Sequence, residues 1–198
     1  MARRSIVLGA AIGLALLLAS ASLAANVTVR VEGKTQSIFG SVPVQVSAPN
    51  AMAALDQASI LGEFYYGLTQ TSFGTYVSQI GRYPGVGAAG WVFKVNGASP
   101  PVGADQVVLK DGDQVLWYYA TFSDTGGPST LALKATTGGC YAVTSQDDAG
   151  KTTSAAGAQL KVDGRRFEAD ASGRACVGRH HGLVRAYALG TVRSNAVK

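Results

Sequence analysis

The chain has 198 residues, with 17 Lys and Arg against 12 Asp and Glu, and only two His and two Cys. Charged residues make up 15% of it and 25 residues are Gly, a composition that favours short strands and tight turns over long helices. The basic residues form no stripe or patch of the kind that nucleic-acid-binding proteins carry, so the sequence argues against nucleic acid as a partner.

The N-terminal segment has the three parts of a secretory signal peptide. Arg3 and Arg4 supply the positive charge, an apolar run follows over residues 6–19, and small residues surround a cleavage site after Ala24. We therefore predict a signal peptide over residues 1–24 and a secreted or extracellular mature protein, free or associated with the cell surface. The alternative is an uncleaved anchor, although the run is shorter than the ~20 apolar residues that span a bilayer.

Removal of the signal peptide lowers the formal charge, because 15 basic residues then face 12 acidic ones, a net charge of +3. No later apolar run is long enough to span a bilayer, so no transmembrane segment is predicted after cleavage.

The first half of the mature chain begins with strand patterns and one helix. Val27, Val29 and Val31 alternate with polar residues, and residues 42–46 repeat the pattern, as half-buried strands do. Asn50 is a helix N-cap residue and Gly62 a stop, with apolar residues at helical spacing between them. Residues 64–86 are aromatic and punctuated by glycine, which predicts an irregular, structured loop.

Two further strand patterns follow this loop. Residues 91–95 alternate large apolar and smaller residues and end at Asn96 and Gly97, the dipeptide that favours a tight hairpin turn. Residues 102–109 are the expected return segment. Residues 115–120 are apolar or aromatic on both faces, which predicts a central strand or one covered by a partner on its second face.

Residues 123–128 end in Gly-Gly-Pro and predict a linker between two domains, at residues 26–122 and 129–198. The second half contains short apolar runs separated by glycine-rich turns, the pattern of a small β-sandwich. Cys140 and Cys176 lie in this half, and an even count in an exported protein predicts a disulfide between strands across the sandwich. The alternatives are two free thiols, or a metal site that adds His180 or His181.

The first half resembles the transcobalamin-like C-terminal domain family of bacterial exported proteins. The matching segments, in chain order, are residues 27–31, the helix around Ala54 and Leu55, Tyr76-Val77, residues 90–97, residues 102–104, residues 109–113 and residues 117–119. The resemblance implies a ubiquitin-like β-grasp fold for residues 26–122. The second half loosely resembles bacterial immunoglobulin-like or carboxypeptidase-regulatory-like sandwich modules. The expected fold class is thus an α+β β-grasp domain followed by a small all-β sandwich.

The resemblance also implies a corrinoid as a ligand, although the vitamin carriers hold cobalamin against a helical domain that this sequence lacks. No nucleophile elbow, phosphate-binding loop or metalloprotease motif occurs, so we predict no enzyme, no cofactor and no metal. Paired aspartates such as Asp111 and Asp113 flank glycines in turns and are best explained as turn residues; a weak Ca²⁺ site among the sandwich loops is the alternative.

The sequence therefore predicts an exported, non-catalytic binding module. Its candidate ligand-binding residues are the exposed aromatic residues of the first half, Tyr65, Tyr66, Tyr83, Trp91, Trp117 and Tyr119. The alternative use of these aromatics is to close the hydrophobic core. The alternative function is a structural or adhesive surface protein that contacts a cell-surface or cell-wall component and has no small-molecule pocket.

Overall fold

The computed structural model describes residues 23–72, 74–124 and 126–198, so the predicted signal peptide lies almost entirely outside the described residues. The first half of the chain contains, in order, β1 (Ala25–Glu32), β2 (Ser37–Ala48), α1 (Ala51–Leu61), β3 (Tyr66–Thr71), β4 (Gly74–Ile80), β5 (Tyr83–Pro84), β6 (Ala89–Val95) and β7 (Gln114–Thr121). The second half contains β8 (Thr130–Ala135), a 3₁₀ turn (Thr137–Gly139), β9 (Cys140–Gln146), β10 (Thr152–Ser154), β11 (Gln159–Val162), β12 (Arg165–Glu168), β13 (Arg174–Cys176), β14 (Val184–Tyr187) and β15 (Ala196–Val197).

The first half is built on a four-stranded mixed sheet in the order β2-β1-β7-β6. β1 pairs in parallel with β7 and antiparallel with β2, while β6 pairs antiparallel with β7. The alternating valines Val27, Val29 and Val31 are fully buried on one face of β1, and α1 packs into the same core. The predicted helix is confirmed, because the Asn50 side chain accepts a hydrogen bond from the Ala53 amide at 2.8 Å and Gly62 follows the last turn.

The expected α+β class with a ubiquitin-like β-grasp domain is wrong for this chain. The described residues hold one helix of 11 residues, and fifteen strands divide among four small sheets, so the protein is mainly β. Part of the difference lies in residues 64–86, which the sequence predicts as a loop and which instead form the sheet β3-β4-β5. β3 carries polar, exposed side chains at most positions and therefore lacks the apolar alternation that marks a strand.

The second half has an apolar core of its own, enclosed by the sheet of β8, β9, β10 and β13 and the sheet β12-β11-β14-β15. This arrangement is compatible with the all-β sandwich expected for residues 129–198. The division of the chain into domains at residues 123–128 stays a prediction.

Cys140 and Cys176 form a disulfide, which confirms the predicted pairing. The bridge does not cross the sandwich as expected, because Cys140 and Cys176 are direct partners on the neighbouring strands β9 and β13 of one sheet. Since both sulfurs are bonded to each other, neither supplies a thiolate to a metal with His180 or His181. His180 instead bonds the Tyr141 hydroxyl, 2.7 Å from its Nε2 atom.

The second half covers the face of the mixed sheet opposite α1. This covered face carries Arg30 and Glu32 on β1, Val92 and Lys94 on β6, and Leu116 and Tyr118 on β7. The central strand β7 is therefore buried on both faces, as its two apolar faces predict. Tyr118 and Ala120 pack there against Val192 of the second half.

Two buried ionic contacts join the halves across this face. The Glu32 carboxylate has no solvent exposure and pairs with Arg30 Nη1 at 3.2 Å, with Arg193 Nε at 3.1 Å and with Arg185. The Lys94 side chain is also fully buried, and its ammonium donates hydrogen bonds to the carbonyl oxygens of Gln146 at 3.1 Å and Asp147 at 2.7 Å. These contacts compensate charges that the packing of the two halves removes from water, so loss of a partner would leave a charge buried and uncompensated.

Candidate ligand cavity

The candidate site lies at the open edge of the mixed sheet, along β6. β6 is the last strand of its sheet and pairs with β7 on one side only. Short turns close both ends of the free side, where Val86 bonds Ala89 and Val95 bonds Ala98. Between these turns lie Trp91 and Phe93.

The register of β6 shows which of its backbone groups face this edge. The Phe122 amide donates to the Ala88 carbonyl at 2.9 Å, and the Asn96 amide donates to the Gln114 carbonyl at 2.9 Å. Hydrogen-bonded and non-hydrogen-bonded pairs alternate along an antiparallel ladder, so the even-numbered residues of β6 bond β7. The N–H and C=O groups of Trp91 and Phe93 therefore point away from β7, and no described strand pairs with them.

A cavity of about 310 Å³ opens beside this edge. Its walls come from α1, β4, β6, β7 and the loop at residues 99–104, and one residue of the second half, Asp148, stands at the rim. The aromatic and apolar lining consists of Met52, Tyr76, Val77, Trp91, Val92, Phe93, Pro100, Ala104, Trp117 and Phe122. Tyr76 and Phe122 are 39% and 41% exposed, so the cavity has an accessible mouth with aromatic edges. We call this site the aromatic cavity.

The polar groups of the aromatic cavity cluster around Tyr118 and Asp148. Burial, followed by the negative charge of Asp148, raises the pKa of the Tyr118 hydroxyl, which also interacts with the Ser99 side chain. Tyr118 is thus a neutral hydroxyl at every physiological pH. The Asp148 carboxylate lies 3.7 Å from Lys94 Nζ and accepts a hydrogen bond from the Gly127 amide at 3.3 Å, so its charge is largely compensated within the protein.

Two of the predicted ligand-binding residues, Trp91 and Trp117, line the aromatic cavity. They do so as walls rather than as exposed rings, because they are 3% and 2% exposed. Trp91 Nε1 donates to the Tyr83 carbonyl at 2.7 Å and Trp117 Nε1 to the Ala51 carbonyl at 3.3 Å, so both indole N–H groups are already used. Phe93 stacks on Trp117 with ring centroids 5.0 Å apart.

The other four predicted residues lie outside the aromatic cavity. Tyr65 is exposed and accepts a hydrogen bond from Gln79, while the Tyr66 hydroxyl donates to Asp56. Tyr83 bonds Thr35 through its hydroxyl, and Tyr119 packs edge-on against Trp91 with its hydroxyl bonded to the Pro84 carbonyl. The six residues therefore do not form one site.

Three residues of the cavity, Tyr76, Phe122 and Asp148, are not among the ligand-binding residues predicted from the sequence. The sequence pattern identifies β6 and β7 as strands, but it does not show that β6 is an edge strand. Tyr76 and Phe122 lie at a cavity only because β6 is the edge strand of its sheet. Asp148 belongs to a turn of the second half, and its position at the rim depends on how the two halves pack.

Comparisons with known proteins give a match to a domain family and matches to solved structures. A domain family described as a domain of unknown function (DUF4430) matches residues 50–121 of the chain. A crystal structure of a protein from Ruminococcus gnavus ATCC 29149, provisionally described as metal-binding, aligns with a TM-score of 0.39 and 14% identity, over 50% of this chain and 99% of that chain. No curated protein matches the chain. The resemblance to the transcobalamin-like family is not confirmed by these comparisons.

None of the helices within residues 23–72, 74–124 and 126–198 has the length and hydropathy needed to cross a membrane. Over the same ranges, no group of three or more His, Cys, Asp and Glu side chains is placed to hold a metal ion.

Proposed function

We propose that the protein is an exported, non-catalytic binding protein that takes a small ligand into the aromatic cavity. The observation that carries this proposal is the combination of aromatic walls with the free backbone groups of Trp91 and Phe93 at one edge. Ligand sites are typically clefts of about 300–1,000 Å³, mostly apolar, with a few polar groups that fix the ligand's orientation. The aromatic cavity has this character and lies at the lower end of that range.

The ligand that fits best has an apolar or aromatic body and at least one hydrogen-bonding group. Its body would contact Tyr76, Phe93 and Phe122, while its polar group would bond the free N–H or C=O of Trp91 or Phe93. An edge strand offers donors and acceptors in alternation, which suits an amide or a similar group.

The absence of catalysis is part of this proposal. The titratable groups at the aromatic cavity are Tyr76, Tyr118 and Asp148. Burial keeps Tyr118 protonated, and Asp148 is held by Lys94 and by a backbone amide. Asp148 lies beside the hydroxyl groups of Ser99 and Tyr118, but its charge is compensated by Lys94, so we assign neither Tyr118 nor Asp148 the role of a general base.

A corrinoid and a metal ion are less well supported as ligands of this cavity. A whole corrinoid needs much more volume than the aromatic cavity encloses and would contact only its mouth. A metal ion such as Ca²⁺ takes about six to eight oxygen ligands, whereas the cavity lining includes a single carboxylate, that of Asp148.

The alternative of a structural or adhesive surface protein predicts no small-molecule pocket, and the aromatic cavity favours ligand binding over it. The disulfide is compatible with an extracellular location for either function.

The test is a binding titration with N-phenyl-1-naphthylamine, a neutral aromatic fluorophore. Trp91 and Trp117 are the only two tryptophans, and both line the aromatic cavity, so energy transfer from tryptophan to the probe reports binding, and the Tyr76 variant below assigns that binding to this site. We expect saturable quenching of tryptophan fluorescence. Tyr76→Ala removes an aromatic contact at the mouth and should weaken binding by about fivefold, which corresponds to roughly 1 kcal/mol.

Tyr65→Ala is the matched control, because Tyr65 is an exposed tyrosine of the same half that does not line the cavity. It should leave the affinity unchanged. Equal affinities for the two variants, or no saturable quenching by the probe, would contradict the proposal. A parallel titration with hydroxocobalamin tests the corrinoid version, which requires binding that Tyr76→Ala weakens.

A further inference from the structure

The buried cluster around Glu32 carries more positive than negative charge. It contains the guanidinium groups of Arg30, Arg185 and Arg193 and one carboxylate, that of Glu32, which leaves a net charge of +2. No second carboxylate among the described residues pairs with any of these three arginines. Burial of uncompensated charge is unfavourable, so this cluster would be stabilised by an anion.

Arg30 has more unused hydrogen-bond donor groups than Arg185 or Arg193. Its side chain is only 9% exposed, and its Nη1 atom bonds both Glu32 and the Arg193 carbonyl. The Nε and Nη2 groups have no acceptor among the described residues. Burial lowers the pKa of Arg30 to about 10, partly opposed by the charge of Glu32, as expected for a cation that lacks a full complement of negative charge.

A cleft of about 440 Å³ between the two halves adjoins Arg30. Thr28 and Gln114 line it from the first half, and Lys134 from β8 lines it from the second. Arg30 and Lys134 are its two charged residues, and no acidic side chain of the described residues contributes to the lining. Apolar side chains such as Leu116 and Leu133 make up the remaining wall. We call this site the basic cleft.

We propose that the basic cleft binds a small oxyanion, a carboxylate or a phosphate group, between Arg30 and Lys134. A guanidinium presents two parallel N–H groups that match the oxygens of a carboxylate or phosphate, and the free Nε and Nη2 groups of Arg30 form such a fork. Lys134 supplies a second charge from the other half, so the anion bridges the two halves. The site is separate from the aromatic cavity and does not rest on it.

The experiment measures the binding of sodium phosphate and of sodium butyrate to the whole mature protein by calorimetry, with sodium chloride at the same ionic strength as the reference. The two probes distinguish a phosphate group from a carboxylate with an apolar tail. We expect saturable binding of at least one of them. Arg30→Lys keeps the charge but loses the fork, and should weaken that binding by about tenfold.

Lys134→Gln tests the second cation without touching the buried cluster, because Lys134 is exposed and makes no ion pair among the described residues. It should weaken binding by about threefold to tenfold. The control is Lys151→Gln, which changes an exposed lysine away from the cleft and should leave the affinity unchanged. If Arg30→Lys does not fold, the comparison of these two lysine variants decides the question. Binding of neither probe, or equal affinities for Lys134→Gln and Lys151→Gln, would overturn the proposal.

Discussion

Asp163 shows how one exposed carboxylate organises a turn of the second half. It lies between β11 and β12 with a positive φ of 48°, next to Gly164, which also has a positive φ. Its two carboxylate oxygens accept hydrogen bonds from the amides of His181 at 2.9 Å and Gly182 at 2.8 Å. These bonds, chiefly that from His181, hold the pKa of Asp163 below its ordinary value of 3.8.

The lowered pKa predicts a pH-dependent contribution to stability. A carboxyl group whose pKa is lower in the folded than in the unfolded state stabilises the fold above the unfolded value, and this contribution is lost as the pH falls through the folded value. Asp163→Asn should therefore lower the melting temperature near neutral pH, and the difference from the wild type should shrink below pH 3.8. Melting curves across this range check it, and a difference that stays constant with pH would contradict the assignment.

Individual residues also show why part of the aromatic cavity was predictable. Trp91 and Trp117 stand out in the sequence as large aromatics on strong strand patterns, and both line the cavity. Tyr65 looks equally suitable, but its side chain points to solvent and bonds Gln79. Nothing local distinguishes these cases, because burial next to a cavity depends on which strand edge the fold leaves open.

At the scale of elements, the disulfide joins β9 to β13 and closes a segment with a sequence separation of 36. A link of this length restricts the unfolded chain and contributes at most roughly 4 kcal/mol. We expect Cys140→Ala combined with Cys176→Ala to lower the free energy of unfolding by about 2–4 kcal/mol. Urea unfolding with and without a reductant tests this. The reductant should destabilise the wild type and leave the double variant unchanged. A wild type whose stability the reductant does not change would contradict this prediction.

The sequence predicts well those elements whose ends are set by residues within the element itself. The Asn50 cap and Gly62 define α1, and Asn96 and Gly97 both have the positive φ that a tight turn requires. Within the described residues, the return segment predicted over residues 102–109 does not pair with β6; its single bridge joins Val108 to Asn50, while β6 pairs with β7. Within α1 the buried face consists largely of Ala51, Ala54 and Ala58, while Ile60 is exposed. Alanine gives too weak a hydrophobic pattern to reveal this face.

At the scale of the whole molecule, the buried charges couple the two halves. Glu32 on β1 pairs with Arg185 and Arg193, and Lys94 on β6 bonds the chain at Gln146 and Asp147. No sequence pattern predicts these contacts, because a single charged residue in a strand usually faces solvent. They lie on the covered face, which only the packing of the halves creates.

The Glu32 cluster predicts that the two halves unfold together. Glu32→Gln leaves the buried Arg30 and the partly buried Arg185 and Arg193 without their carboxylate and should cost about 3–5 kcal/mol. Calorimetry of the wild type should show one transition, and the variant should show two at lower temperatures, one for each apolar core. Glu63→Gln, at an exposed glutamate with no ion pair among the described residues, is the control and should melt as the wild type does. A single unshifted transition for Glu32→Gln would contradict this coupling.

The pairing of Glu32 with Arg185 has a further consequence for how the protein is made. Arg185 follows Glu32 by 153 residues, so this contact cannot form until nearly the whole chain has been synthesised. Contacts between such distant residues slow folding, because a long loop must close first. During most of the synthesis of the chain, Glu32 and Lys94 of the first half therefore remain exposed to water. The Glu32 cluster forms only after the last strands of the second half have been made.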